Sequence, residues 1–308
     1  MFEYPRIRPP FFIVYLSYSK TMTQRKIKII LFLVVLLFTA NFLVWREVFS
    51  LGNLDIVFFD IGQGDSIFIE SGLGHQVVID GGPSNMVLEK LTSQMPFWDR
   101  SIDLVILTHP DYDHLRGLVD IIERYHVGLV LWTGSRTDSA TFEKWNSLLS
   151  EQDVLIAQKG QVIKMGDASL DILYPFVSLK GEKGDNDSSI VARLVFGETS
   201  FLFTGDITKK VEKDLLESGV SLNSQVLKVA HHGSKSSSSF SFIKEVDPVL
   251  AIISCGKENS YGHPHQEVLS LLEEFGILVL RTDKVGDIEL TANSSNFLIK
   301  QKYIYERN

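Results

Sequence analysis

Four residues with metal-binding side chains fall within the six positions His109-Pro110-Asp111-Tyr112-Asp113-His114. Imidazole nitrogens and carboxylate oxygens are common ligands of catalytic divalent ions, and a tight turn can point several of them at one place. Given the composition, a His-x-Asp-x-Asp-His run arises by chance in roughly one chain in a thousand, so a merely solvated polar turn is a poor account of it. The run follows the apolar stretch 102–108 and opens a helix, and strand ends in α/β proteins are where ligands are held. Two more strand ends carry ligand types: Asp206 closes FLFTGD, and His231-His232 follow VLKVA. A lone Asp at a strand end usually caps a helix. Three such ends together predict a converged metal centre. Cys255 is the single cysteine, which excludes a disulfide framework and a multi-cysteine zinc ribbon. The centre must come from the 8 His and 38 acidic residues.

The elements that must position these residues are short and β-rich. Strands are predicted at 54–60, 66–70, 75–80, 102–108, 127–132, 153–157, 161–164, 168–174, 189–196, 200–206, 225–230, 249–254 and 277–281. Two closing strands are expected near 286–292 and 296–303. Helical spacing marks 85–95, 115–125, 141–149, 207–217, 239–246 and 265–275. The continuous apolar run 102–108 suits a strand covered on both faces. Strands dominate both halves with helices between them, which predicts an α/β fold of two stacked sheets with helices outside, a four-layer αββα sandwich.

Upstream lies a different kind of segment. Residues 29–45, IILFLVVLLFTANFLVW, carry no charge, and as a helix they span roughly 26 Å, near the thin limit for a bilayer. Residues 1–50 hold seven basic side chains against two acidic ones, a net of +5 in a chain of 308 residues with net charge −8, so the rest is −13. The charge asymmetry predicts a basic cytoplasmic head (1–28), one transmembrane anchor (29–45) and a body outside the cell membrane (54–303). A cleaved signal peptide and a buried core helix are the competing readings, and no convincing Ala-x-Ala site favours cleavage. Met22 would begin a compact leader directly before the apolar run.

The body resembles the metallo-β-lactamase superfamily and, within it, the extracellular hydrolase domain of the ComEC family of competence DNA-uptake proteins. The resemblance covers nearly all of 54–290. It rests on FDIGQGDS (59–66), VIDGG (78–82), THPDYDH (108–114), NDSS (186–189), FTGD (203–206), KVAHHGS (228–234), NSYGHP (259–264) and RTDKVG (281–286). It implies two divalent ions, Mn or Zn. His109 and Asp111 would face one ion, Asp113 and His114 the other, and Asp206 would bridge them. His231 would complete the second site, with His232 as the alternative. Asp80 would orient ligands through hydrogen bonds, and Asp65 would support them from behind. Two departures stand out. Asn186-Asp187-Ser188-Ser189 stands where the superfamily often has a further metal-binding His, which leaves the first site open. Asp111 stands at a usual His position, which hardens the site toward Mn²⁺. Arg116, where the family commonly has glycine, either approaches a phosphate or points to solvent.

Two metals suit phosphoryl chemistry, since they can activate water and stabilise both oxygens of an in-line displacement. Asp113 would orient the water, and His232 or His263 would protonate the leaving group. Ser234 and Lys235, in a strand-to-helix loop, are candidates for phosphate binding. The resemblance implies DNA as substrate and leaves open a separate DNA-uptake channel protein as partner, while the apolar run makes the membrane a partner through 29–45. The acidic body disfavours tight duplex binding. The competing functions are hydrolysis of a lactone, a small ester or a surface phosphoester, and a non-catalytic tethered DNA-binding module.

Overall fold

The computed structural model describes residues 24–50 and 52–300. The chain divides into an N-terminal unit ending at Phe49 and a body beginning at Ser50. Among the described residues the N-terminal unit is one helix, α1 (Gln24–Ser50). Its segment Gln24–Trp45 has mean hydropathy 2.6 and is long and apolar enough to cross a membrane. At ~1.5 Å per residue its 22 residues reach about 33 Å, slightly more than a hydrocarbon core. The two polar side chains of the uncharged run 29–45 are satisfied within the helix: Thr39 Oγ1 donates to the Val35 carbonyl (2.8 Å) and Asn41 Nδ2 to that of Leu37 (3.2 Å). Such back-bonding is what apolar surroundings demand of polar groups. Most of the expected basic head, residues 1–23, lies outside the described residues.

The first part of the body runs β1 (Leu54–Phe58), β2 (Ile67–Ser71), β3 (Gln76–Ile79), α2 (Met86–Gln94), β4 (Ser101–Leu107), α3 (Tyr112–Arg124), β5 (His126–Trp132), α4 (Ala140–Leu149) and β6 (Val154–Ile156). The second part runs β7 (Val162–Met165), β8 (Ala168–Tyr174), β9 (Val191–Phe196), β10 (Thr199–Phe203), α5 (Lys209–Glu217), β11 (Val226–Lys228), α6 (Phe240–Val246), β12 (Leu250–Ile253), α7 (Gln266–Glu274), β13 (Leu278–Arg281) and α8 (Thr282–Val285). β14 (Ile288–Ala292) and β15 (Phe297–Ile299) then return to the first sheet. The sheet orders are β15-β14-β1-β2-β3-β4-β5-β6 and β13-β12-β11-β10-β9-β8-β7. β3 to β6 run parallel, as do β10 to β13, so their carboxyl ends share one edge of each sheet.

Strand alternation builds the layers. Leu54, Ile56 and Phe58 of β1 face the second sheet, where they join Phe201 and Phe203 of β10 and Leu250 and Ile252 of β12. The opposite faces pack under helices: Val105 and Leu107 against Leu115 and Leu118 of α3, and Leu202, Ala251 and Ile253 against Val211 and Leu215 of α5 and Phe242 of α6. These three interfaces make the expected four-layer αββα sandwich.

The strands stop earlier than their apolar runs at the edge that matters. β10 ends at Phe203 rather than at 206, and β11 at Lys228 rather than at 230. The residues beyond remain buried but leave the ladder to form loops. Residues 186–188, placed before β9, form one 3-10 turn. α8 was not foreseen, because RTDKVG is too short to show helical periodicity. The last strand spans Phe297–Ile299, and positions 301–303 of the expected strand lie outside the described residues.

The rings of Phe58 and Phe203 meet across the two sheets at 6.1 Å between centroids. Phe58→Ala opens a cavity in this fully buried interface and is expected to destabilise the body by about 3–5 kcal/mol. Urea denaturation followed by circular dichroism measures it, and a loss under ~1 kcal/mol would mean that the sheets repack freely.

Candidate metal centre

One carboxylate organises the β4 end. Asp80, just past β3, accepts the Thr108 amide at Oδ1 (2.8 Å) and the Thr108 hydroxyl at Oδ2 (2.7 Å). The same Oδ2 lies 2.8 Å from His114 Nδ1. Asp80 reaches this position with φ 58°, a left-handed conformation that costs a non-glycine residue energy. The approach depends on Gly117 of α3, where a Cβ would stand 1.9 Å from the Gly81 carbonyl oxygen. No side chain fits between the helix and the Asp80 loop.

These contacts decide which ring nitrogens face inward. A carboxylate can only accept, so His114 Nδ1 carries the proton and Nε2 presents a lone pair. The Thr108 hydroxyl spends its one proton on Asp80, so it accepts from His109 Nδ1 at 3.0 Å, and His109 Nε2 is likewise free. His232 Nδ1 lies 2.9 Å from the Ser254 carbonyl oxygen, which again leaves Nε2 as the open nitrogen. The Nε2 atoms of His109, His114 and His232 and Oδ1 of Asp206 are all buried without a hydrogen-bond partner. Four orphaned ligand atoms in one interior would be costly unless an ion completes them. A metal therefore fits this donor set.

The ligand atoms form overlapping groups: His109, His114 and Asp206; Asp113, His114 and His232; and Asp65, Asp206 and His232. Asp206 Oδ2 lies 3.4 Å from His114 Nε2 and 3.3 Å from His232 Nε2, and Asp113 Oδ2 is 3.5 Å from His232 Nε2. Asp111 is half-exposed at the rim, with Oδ2 3.6 Å from His109 Nε2. The Asp206 amide donates to the Ser189 hydroxyl at 3.0 Å, which fixes the loop after β10.

Charge in the cluster is polarised to match. Burial opposes ionisation of Asp206, but the charges of His232 and His114 outweigh it and hold its carboxyl well below the usual range. Burial also opposes protonation of His114, yet Asp206, Asp80 and Asp113 raise its pKa well above 6.5. His232 is raised in the same way, chiefly by Asp206.

The two adjacent histidines separate sharply. Both have left-handed backbones, with φ 50° at His231 and 55° at His232. His232 turns into the cluster, buried. His231 stays half-buried, 4.0 Å from Asp206, with its ring beside Asn186 Nδ2 (3.2 Å) and Ser236 Oγ (3.2 Å). Asn186 thus meets His231 from the segment that lacks the extra histidine. His263 lies at the rim, its ring 5.5 Å from that of His231 and 6.3 Å from that of His232. Burial and then the neighbouring His231, His232 and His265 push its pKa down to about 4.

The remaining sequence candidates sit farther out. The Ser234 hydroxyl is paired with Ser236, and Lys235 is exposed with its amide on His265 Nδ1. Helix α6 begins only at Phe240, and Glu212 takes the amides of Ser238 and Ser239 before it. Arg116 pairs with Asp120 one turn along α3, at 2.7 Å. Asp65 lies beneath His232, its Oδ1 3.5 Å from Nδ1. Its loop is tight: a Cβ at Gly64 would strike the Asp113 carbonyl. Sequence reasoning passed over Thr108, Ser189, Ser254 and Lys228. Only Lys228 left a signal, a charge inside an otherwise apolar strand.

Because ligands must be deprotonated, ion binding competes with protons here. The surrounding carboxylates raise the pKa of His114 and His232, so protons compete with an ion for these rings. Loading with Zn²⁺ or Mn²⁺ at pH 7 is expected to release protons, and affinity to fall as pH is lowered. Calorimetric titration in buffers of different ionisation heat counts the protons, and no buffer dependence would contradict the assignment.

Comparison with known proteins agrees with this architecture. Residues 59–257 match the family described as the Metallo-beta-lactamase superfamily. The chain is 38% identical over 194 residues to ComE operon protein 3 of Bacillus subtilis, covering 62% of this chain and 24% of that protein. It is 29% identical over 213 residues to competence protein ComA of Neisseria gonorrhoeae, covering 67% and 28%. Recombination protein 2 of Haemophilus influenzae is 28% identical over 210 residues, covering 67% and 25%. The chain thus spans about a quarter of the length of these relatives. Among solved structures, the metallo-beta-lactamase fold protein YhfI from Bacillus subtilis aligns with a TM-score of 0.50 at 15% identity, over 80% of this chain and 99% of that one. CmlA, a diiron beta-hydroxylase from Streptomyces venezuelae, aligns at 0.50 and 16%, over 78% and 54%. Those two likenesses concern the fold alone. By its matched family and its fold, the chain is a member of the metallo-β-lactamase superfamily of metal-dependent hydrolases.

Proposed function

We propose that the protein is a membrane-anchored, two-metal phosphodiesterase that cuts DNA outside the membrane. The observation that carries this reading is the set of buried, unpartnered imidazole nitrogens gathered around the shared carboxylate of Asp206. His109, Asp111 and Asp206 would hold one ion. Asp113, His114, Asp206 and His232 would hold the other, with His232 taking the place expected of His231. The carboxylate-rich donor set favours a hard ion, Mn²⁺ before Zn²⁺. Two such ions supply Lewis acidity and charge neutralisation for in-line displacement at phosphorus.

The chain's own residues do the rest. Asp113, less buried than His114, orients the attacking water by accepting its hydrogen bond. His263 is neutral at pH 7, because its pKa is about 4, so it donates a hydrogen bond toward the leaving oxygen rather than a full proton. His231, held by Asn186 and Ser236, borders the open side of the first site. Ser234 and Lys235 lie beyond it, and Lys235 is free to meet a flanking phosphate.

Relatives named for competence and recombination support DNA as the substrate class. The acidic body fits a substrate held by ions at one phosphodiester better than one held along a duplex. Helix α1 serves as the anchor, and the basic residues before it place the N-terminus in the cytoplasm. A DNA-uptake channel is the proposed partner, in keeping with a relative named as a competence protein.

The test uses protein stripped of metal and incubated with single-stranded DNA or bis-p-nitrophenyl phosphate, with Mn²⁺ or Zn²⁺ restored. Cleavage of both is expected with Mn²⁺. Cleavage of the small ester without DNA would point to a small surface phosphoester. Asp206→Ala and His114→Ala should each abolish hydrolysis with the circular dichroism spectrum retained, and full activity in either would sink the site assignment. Deleting residues 24–45 should move the protein from the membrane to the soluble fraction.

A further inference from the structure

Strand alternation puts Val226 of β11 between the two sheets and Leu227 under the helices, so the next side chain, Lys228, also points between the sheets. An aliphatic residue is expected there, yet Lys228 is 1% exposed. Its Nζ lies 2.7 Å from Asp65 Oδ2 and donates to the Val229 carbonyl at 3.1 Å. Asp65 comes from the other sheet, on the loop between β1 and β2, and is equally buried. The pair therefore crosses the sandwich directly under the metal centre. Asp65 spends one oxygen on Lys228 and turns the other, Oδ1, toward His232 Nδ1 at 3.5 Å.

A buried ion pair is a poor way to join two sheets, since hydrophobic replacements of similar volume are often neutral or stabilising. Its position suggests another use. Among the described residues, Lys228 is the only lysine or arginine paired with any of the five carboxylates at the centre, Asp65, Asp80, Asp111, Asp113 and Asp206. Left free, Asp65 lies close enough to Asp206 and His232 to join the ligands itself. Two divalent ions and one ammonium balance five carboxylates.

We propose that Lys228 is a positioning residue: by pairing with Asp65 across the sandwich it withholds that carboxylate from the ions and fixes it behind His232. The affinity of the His232 half of the centre then depends on a side chain that touches no ion. Carboxylates behind metal-binding imidazoles typically change metal affinity by about 10–100-fold. The inference rests on the two-ion reading above and adds the residue that tunes one half of it.

The test compares the full chain in detergent with two double variants, Lys228→Met with Asp65→Leu and Lys228→Met with Asp65→Asn. Both remove the two charges together, so neither leaves an unpaired buried ion. Zn²⁺ affinity is read by competition with a chromophoric chelator, and coordination by the absorption spectrum of the Co²⁺ form. The expected result is a folded variant that keeps one ion at wild-type affinity and binds the other about 10–100-fold more weakly. Folded variants that bind both ions as the parent does would overturn the inference. So would failure of both variants to fold, because the pair would then be a staple between sheets. Absence of tight binding by the parent would instead sink the two-ion reading and this inference with it.

Discussion

Carboxylates do not gather in a protein interior without a countercharge. Asp65, Asp80 and Asp206 are essentially buried, and Asp113 and Asp111 close the same cluster toward solvent. Mutual repulsion in low dielectric would neutralise or unfold such a group unless cations held it together. Lys228 pairs with one of these carboxylates, Asp65, across the two sheets. The same carboxylates raise the pKa of His114 and His232, which draws positive charge onto these rings. The surrounding architecture is arranged to keep these opposite charges at fixed distances.

Neither sheet holds the centre alone. The first contributes Asp80, His109 and Asp111 from the loops after β3 and β4, and Asp113 and His114 from the first turn of α3. The second contributes Asp206 and His232 from the loops after β10 and β11. The aromatic and aliphatic layer between them, with Phe58 against Phe203, sets how closely the two ligand sets approach. Packing at this density tolerates little sliding. The hydrophobic core thus acts on chemistry by fixing the distance from Asp206 to His114 and Asp113.

Much of this was legible in the sequence, because strand alternation and strand-end polarity are local signals. The layers follow from runs such as 102–108 and 249–254, and His109 to His114 declared themselves by spacing. What stayed hidden depends on backbone geometry or distant partners. The resemblance favours His231 as a ligand over His232, yet His232 is the one in the cluster. Two successive left-handed residues turn only the second inward, and no local propensity announces that conformation in histidine. Ser234 and Lys235 looked like a helix start, but α6 begins five residues later and Glu212, a surface position by type, occupies its amides. Arg116 had a nearby partner in Asp120 that helical spacing could have named. Ser254 and Thr108 act through a carbonyl and a hydroxyl whose roles exist only once the rings are in place.

The pairing of β1 with β14 has a consequence for how the molecule comes to exist. Leu54 to Phe58 lie against Ala292 to Ile288, partners separated by well over two hundred positions. Contacts of such long range form slowly, because a large loop must close before they contribute. Until then one flank of β1 is an open template for a stray strand. A nascent chain thus carries every ligand of the metal centre well before it carries the strand that seals its first sheet. The interval before that strand arrives is when the first sheet is most exposed to misassembly.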